Sequence, residues 1–253
     1  MQPREQLRDA LTLDGAPALI AFITAGYPEP ARFLEVLRAV GEATDTVEIG
    51  VPFTDPMADG VTVQRASQAA LQNGVSLTWI FNQLASRDFE LPAPVLLMSY
   101  LNPLFAFGFQ RLAARALETG VSGFIVPDLP YEECTPLKDE LDAQGLALVQ
   151  LVTPATPAER LRKLCAISEG FVYAVTRTGI TGGGEHLPEE LADYLAVVKR
   201  ASNLPVCAGF GVREREQVQL IAAHADGVIV GSALLEALEA GQNPGEFLAA
   251  LRP

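Results

Sequence analysis

The stretch Asp45–Gly60, DTVEIGVPFTDPMADG, gathers several carboxylates around one short apolar run. Val47, Ile49 and Val51 are β-branched and alternate, which is the pattern of a strand. Glu48 falls between them and on a strand points to the opposite face. If both faces of the sheet are covered, its carboxyl enters a closed interior. Burial without partners penalises the charged form and raises the pKa, so the group would hold a proton near neutral pH. Pro52 and Pro56 take the chain off the strand without starting a helix at once. Asp55 and Asp59 follow before Gly60. A tuned acid at a strand end and a second acid on the next loop suit proton transfer. A buried structural ion pair beside two turn-forming aspartates fits the same stretch equally well.

The elements that must position these acids repeat along the chain. Apolar runs predict eight strands: Ala18–Thr24, the Glu48 stretch, Val95–Tyr100, Gly123–Val126, Leu146–Val152, Phe171–Val175, Pro205–Ala208 and Gly227–Val230. Helical periodicity follows each of them, from Ala31, Val61, Leu77, Phe109, Glu132, Ala158, Glu189, Glu214 and Ala233, with a short helix over Gln2–Leu11 and a last one over Gly245–Leu251. Asn102-Pro103 reads as the end of the third strand. Units of roughly 30 residues match a strand–helix–strand repeat. No linker or change of composition divides residues 1–253, so the pattern predicts one domain, a closed (β/α)8 TIM barrel with extra helices. A doubly wound open sheet would give a similar alternation.

Composition narrows the chemistry. Among 253 residues, 18 Lys and Arg face 31 Asp and Glu, a net charge of −13. With no basic run, a nucleic-acid or anionic-membrane surface is not expected. No apolar stretch reaches membrane-spanning length and the N-terminus lacks a leader pattern, so a soluble cytoplasmic protein is expected. Cys134, Cys165 and Cys207 are odd in number, far apart and without metal-ligand spacing, and read as buried small hydrophobes. His186 lies in a glycine-rich loop and His224 near a helix end. Neither falls on a strand end, and no metal site is expected.

In a barrel the C-terminal strand ends form one rim where sites gather. Here that rim would carry Phe22, Thr24, Glu48, Tyr100, Asn102, Asp128, Thr153, Tyr173 and Thr176. Aromatic groups Phe22, Tyr100, Tyr173 and Phe210 come from four strands, although core packing explains any one of them alone. Glycines cluster after strands six to eight, in Gly179–Gly184, Gly209-Phe210-Gly211 and Gly231-Ser232. Free backbone N–H groups there, with the helix opening at Ser232, would attract a phosphate. An apolar pocket beside a phosphate site would hold an aromatic group with a phosphorylated tail.

Taken together, these motifs resemble the tryptophan synthase α-subunit family. They are Glu48–Gly60, Tyr100-Leu-Asn-Pro103, Val126-Pro-Asp-Leu-Pro130, Thr178-Gly-Ile-Thr-Gly182, Gly209-Phe-Gly211 and Gly231-Ser232, in order across nearly the whole chain. The first is long and specific; the glycine motifs are shared by many phosphate-binding barrels. The resemblance implies a retro-aldol lyase that cleaves indole-3-glycerol phosphate to indole and glyceraldehyde 3-phosphate in L-tryptophan biosynthesis. It implies Glu48 as general acid/base and Asp59 as the acid that accepts the indole N–H. It places Phe22, Tyr100, Leu129, Tyr173 and Phe210 around the ring. Gly182, Gly211, Gly231 and Ser232 fall at the phosphate, and Thr181 on a closing loop that orients Asp59. The run Gly183-Gly184 makes that closure entropically costly. Arg177 lies near the same loop.

No cofactor is implied for this chain. Pyridoxal phosphate would belong to a β-subunit partner in an α2β2 assembly, met through Asp55-Pro56 and Asn102-Pro103. A standalone lyase would share every one of these residues. A metal-dependent epimerase barrel would need strand-end histidines, and a non-catalytic partner module would not need both Glu48 and Asp59.

Overall fold

The computed structural model describes residues 1–12, 16–175, 188–209 and 211–252. Eight parallel strands close a barrel in chain order: β1 (Ala18–Thr24), β2 (Thr46–Gly50), β3 (Val95–Met98), β4 (Val121–Ile125), β5 (Ala147–Val152), β6 (Val172–Val175), β7 (Val206–Gly209) and β8 (Gly227–Val230). The strands β1 and β8 pair through Ala18 to Ala21, which excludes the open sheet. Among the described residues twelve helices accompany them: α1 (Pro3–Ala10), α2 (Phe33–Ala43), α3 (Val61–Gln72), α4 (Leu77–Ser86), α5 (Leu101–Phe107), α6 (Phe109–Glu118), α7 (Thr135–Ala143), α8 (Ala158–Ile167), α9 (Glu189–Ala201), α10 (Arg215–Ala222), α11 (Ser232–Glu239) and α12 (Pro244–Leu251).

Alternation along the strands splits the core in two. Leu19, Val47, Ile49, Val95, Leu97 and Phe124 face outward and pack under the helices. Ile20, Leu96, Ile125, Val149, Cys207 and Ile229 fill the barrel interior, and Leu7 of α1 joins them from the N-terminal end. Every residue of β1 and β2 is buried, as a parallel strand covered on both faces requires. Gly123 shows how tight the interior is. A Cβ there would lie 2.4 Å from the Ala147 carbonyl oxygen and 2.6 Å from the Ala147 Cβ. A side chain at position 123 would displace backbone, so Gly123→Val should cost several kcal/mol, about 3 or more by overpacking. A urea unfolding curve of the variant checks it.

Two sequence readings change. Asn102-Pro103 does not end a strand; it lies in the first turn of α5, where proline is tolerated because its missing N–H has no intrahelical partner. The third strand stops at Met98, two residues before Tyr100. The helices expected from Ala31 and Glu132 each open with a 3-10 turn, Pro30–Arg32 and Tyr131–Glu133, before α2 and α7 begin. All three cysteines are buried and unbridged, as read.

Candidate active site

Glu48 sits mid-β2, opposite Phe22 on β1 and Leu96 on β3. Those neighbours face the barrel interior, so its side chain does too. It is 0% exposed, and among the described residues neither carboxyl oxygen has a hydrogen-bond partner. Burial alone pushes its pKa from 4.5 to about 8, because nothing polar compensates the charged form. The group is therefore a neutral acid at pH 7. Among the described residues nothing forms an ion pair with Glu48, the alternative open at the level of sequence.

Asp59 lies on the loop after β2, and that loop is pinned from several sides. The Val51 N–H donates to the Met98 carbonyl at 2.8 Å. Ser67 on α3 clamps Phe53, accepting its N–H at 2.8 Å and donating to its carbonyl at 3.1 Å. The Tyr100 hydroxyl accepts the Ala58 N–H at 2.9 Å and donates to Asp59 Oδ2 at 3.1 Å. Its ring stacks on Phe53 with centroids 5.1 Å apart. Burial raises the Asp59 pKa, and the bond from Tyr100 opposes that rise. Burial, with the Asp59 charge nearby, holds the Tyr100 hydroxyl up at about 12, so it stays a donor. Tyr100→Phe removes both contacts and leaves a part-buried N–H and carboxylate short of a partner. A loss of about 5- to 30-fold in kcat/KM is expected, with the acidic limb of the pH profile moved up as Asp59 loses its donor. A pH–rate profile of the variant checks both.

One cavity brings together Phe22, Thr24, Phe53, Asp59, Met98 and Tyr100, with Pro127 from the loop after β4. Tyr173 joins the interior cluster near Phe171, 6.2 Å between ring centroids. Burial and then the Glu48 charge raise its pKa well above the ordinary value. A Cβ on Gly209 would come within 3.0 Å of the Tyr173 ring and hydroxyl, so the glycine makes room for that side chain. Gly211 takes a φ of +66°, a conformation that favours glycine. Gly231 precedes the first turn of α11, which opens at Ser232; the first-turn N–H groups of a helix lack intrahelical partners and suit an anion.

Other candidates fall elsewhere. Leu129 is half-buried against the layer under the helices and does not line the cavity. Asp128 accepts the Leu101 N–H at 2.8 Å and so satisfies the N-terminus of α5. Thr176, Arg177, Thr181, Gly182, His186 and Phe210 lie outside the described residues. Ser67 escaped the sequence reading. Its signal was a polar residue on the buried stripe of α3 beside Ala66 and Ala70. Among the described residues no group of three His, Cys, Asp or Glu could hold a metal ion, and no helix is long and apolar enough to cross a membrane.

A closed (β/α)8 barrel with a proton-bearing carboxyl on its inner wall and a second acid at its rim is the arrangement of a barrel enzyme that moves protons. Comparison with known proteins narrows the class. Residues 9–251 match the family described as Tryptophan synthase alpha chain. The tryptophan synthase alpha chain of Nitratidesulfovibrio vulgaris (strain DP4) is 45% identical over 237 residues, covering 93% of this chain and 92% of that one. Tryptophan synthase subunit alpha of Legionella pneumophila superposes with a TM-score of 0.89 at 33% identity, over 100% of this chain and 97% of that one. A chain of the tryptophan synthase complex from Pyrococcus furiosus gives 0.82 at 36% identity, over 94% and 98%. The chain belongs to the tryptophan synthase α-chain family, and so to the lyases of tryptophan biosynthesis.

Proposed function

We propose that Glu48 and Asp59 carry out the cleavage of indole-3-glycerol phosphate to indole and glyceraldehyde 3-phosphate, with residues 1–253 acting as one domain. The observation that carries this reading is the fully buried Glu48 carboxyl on the inner wall of the barrel, whose two oxygens find no hydrogen-bond partner among the described residues. Glu48 gives its proton to indole C3, leaving positive charge on the ring nitrogen. Asp59, ionised, takes the N–H and stabilises that charge. Glu48, now a carboxylate, accepts the proton of the hydroxyl on the carbon next to the ring. The C–C bond then breaks, its electrons flow into the iminium, and the carbonyl of glyceraldehyde 3-phosphate forms. One proton enters at carbon and one leaves from oxygen, so Glu48 ends as it began.

Phe22, Tyr100 and Tyr173 supply the apolar walls for the ring in this reading; Leu129, packed under the helices, drops out of the set, and Phe210 keeps the ring contact that the family resemblance implies. Gly182, Gly211, Gly231 and Ser232 hold the phosphate through backbone N–H groups. For Thr181 the reading keeps the role that the family resemblance implies, orienting Asp59. The reaction runs in the cytoplasm and needs no cofactor of this chain's own, pyridoxal phosphate belonging to the β partner.

The partner surface follows from exposure. Among the described residues, apart from Met1, the most exposed large hydrophobics are Met57 (82%), Val61 (79%) and Phe105 (71%), on the loop after β2, the start of α3 and α5. Met57 neighbours Asp55-Pro56, and Phe105 follows Asn102-Pro103 on one short helix. We assign this rim to the β subunit of an α2β2 assembly. The test is indole release by the purified chain with and without a β subunit. Slow release that the partner stimulates is expected, and Phe105→Ala should weaken that stimulation by about tenfold in partner concentration while leaving the unassisted rate unchanged. Fast release by the chain alone favours a standalone lyase. No release under either condition overturns the reaction.

A further inference from the structure

Buried polar side-chain atoms almost always find a partner, because an unmet one forfeits its hydration for nothing. Among the described residues three such atoms have none: the two carboxyl oxygens of Glu48 and the hydroxyl oxygen of Thr24. The first two are explained by the chemistry proposed above. Thr24 is the last residue of β1 and is only 2% exposed. Alternation along β1 turns Ile20, Phe22 and Thr24 to the same inner side. Thr24 pairs in register with Gly50, one inward position beyond the Phe22–Glu48 pair.

The residue paired with Thr24 offers its hydroxyl no side-chain partner. Gly50 presents none, and the Phe22 ring fills the space that a Cβ there would need, 2.5 Å from it. The Thr24 backbone is already engaged, its carbonyl accepting the Tyr27 N–H at 3.1 Å. The side chain lines the same cavity as Phe22, Asp59 and Tyr100. A hydroxyl left unpaired inside a strand lowers stability, and valine would fill the same volume without that cost. The cavity it faces is where a partner would arrive.

We infer that Thr24 is a further substrate-binding residue, its hydroxyl hydrogen-bonding a glycerol hydroxyl of the bound substrate. This rests on the proposed reaction and adds a contact to it. The topology selects the glycerol. The strand β1 lies between β8, which leads to Gly231 and Ser232, and β2, which carries Glu48. With phosphate held after β8 and the ring carbon at Glu48, the chain joining them runs past the end of β1. A hydroxyl can both donate and accept there. The bond fixes the rotation of the glycerol, and with it the angle between the breaking C–C bond and the ring plane.

The test uses Thr24→Val and Thr24→Ser in the full chain, beside the wild type and Glu48→Gln. Three quantities are read: kcat/KM for indole-3-glycerol phosphate, Kd for indole-3-propanol phosphate, which has the ring and phosphate but neither glycerol hydroxyl, and the urea unfolding midpoint. Thr24→Val should lose about 10- to 100-fold in kcat/KM, the scale of one buried hydrogen bond. It should bind the propanol phosphate within about twofold of wild type and unfold at an equal or higher urea concentration. Thr24→Ser should keep most of the activity. Unchanged kcat/KM in Thr24→Val overturns the inference. So does equal weakening for the analogue, which would make Thr24 a wall residue, and so does a loss of activity that tracks a loss of stability. A wild type that does not cleave, or an unaffected Glu48→Gln, refutes the underlying reaction and is told apart from these outcomes by that control.

Discussion

Replacing Glu48 by glutamine or leucine should abolish indole release and, at alkaline pH, make the protein more stable. The two effects have one cause. In the folded chain burial moves the Glu48 pKa from 4.5 to about 8. Below pH 4.5 both folded and unfolded states hold the proton, and the only cost is that of burying a neutral acid. Between about 4.5 and 8 the unfolded chain releases the proton and the folded chain keeps it, so stability falls as pH rises. Above 8 the folded state is ionised as well and the penalty is complete. A shift of that size corresponds to about 5 kcal/mol at most, and relaxation of the interior reduces it. Glu48→Leu should therefore gain on the order of 2–4 kcal/mol at pH 8.5, and Glu48→Gln less, since it buries an amide in place of the acid. At pH 4.5 the gain should shrink to what an unpaired neutral carboxyl costs. Urea unfolding at the two pH values reads this directly. Activity should fall by about 10²–10⁴-fold, the contribution of a positioned proton donor. A variant that loses activity without gaining alkaline stability would mean that Glu48 is charged and partnered in the folded chain.

The residues show why so much of this was legible beforehand. The strands could be read because parallel strands covered on both faces must be apolar throughout. Ala18–Thr24 and Gly227–Val230 have the same bounds in the structure. Glu48 could be read because a single charged residue in such a run has nowhere to go but inward. The helix α5 was missed because Pro103 was taken as a breaker. Its effect depends on whether it falls in a first turn, and that turn is held by Asp128, 27 residues further along the chain. Contacts of this kind have no local signature. The same holds for Tyr100, whose aromatic ring was anticipated but whose clamp on Ala58 and Asp59 spans about forty residues. Thr24 was placed at the rim by its strand position. That its hydroxyl lacks a partner among the described residues is a property of the packed interior. The glycines after β7 and β8 were visible as a cluster, yet Gly209 makes room for Tyr173 while Gly211 takes a left-handed turn. One residue type thus meets two different physical needs two positions apart.

Asp59→Asn should be the second severe lesion, distinguished from the first by its pH dependence. The asparagine side chain keeps the size of aspartate and can still accept an N–H through its carbonyl oxygen. What it loses is the negative charge that faces the ring nitrogen when C3 is protonated. Removing a preorganised group of this kind costs about 10²–10³-fold in kcat, with a smaller effect on KM because the charge develops only along the reaction. In the wild type two conditions must hold together: Asp59 ionised and Glu48 protonated. Burial raises the Asp59 pKa from its ordinary value, with Tyr100 holding it back, while Glu48 stays protonated up to about 8. The rate should therefore be bell-shaped, its acidic limb belonging to Asp59 and its alkaline limb to Glu48. Asp59→Asn should flatten the acidic limb and leave the alkaline limb near 8, because the Glu48 pKa is set by burial rather than by the Asp59 charge. The order of the two limbs is fixed by structure. Asp59 has a hydrogen-bond donor that favours its anion, and among the described residues Glu48 has none. If the asparagine variant kept both limbs, the acidic one would belong to another group and the charge at position 59 would not be what the transition state meets.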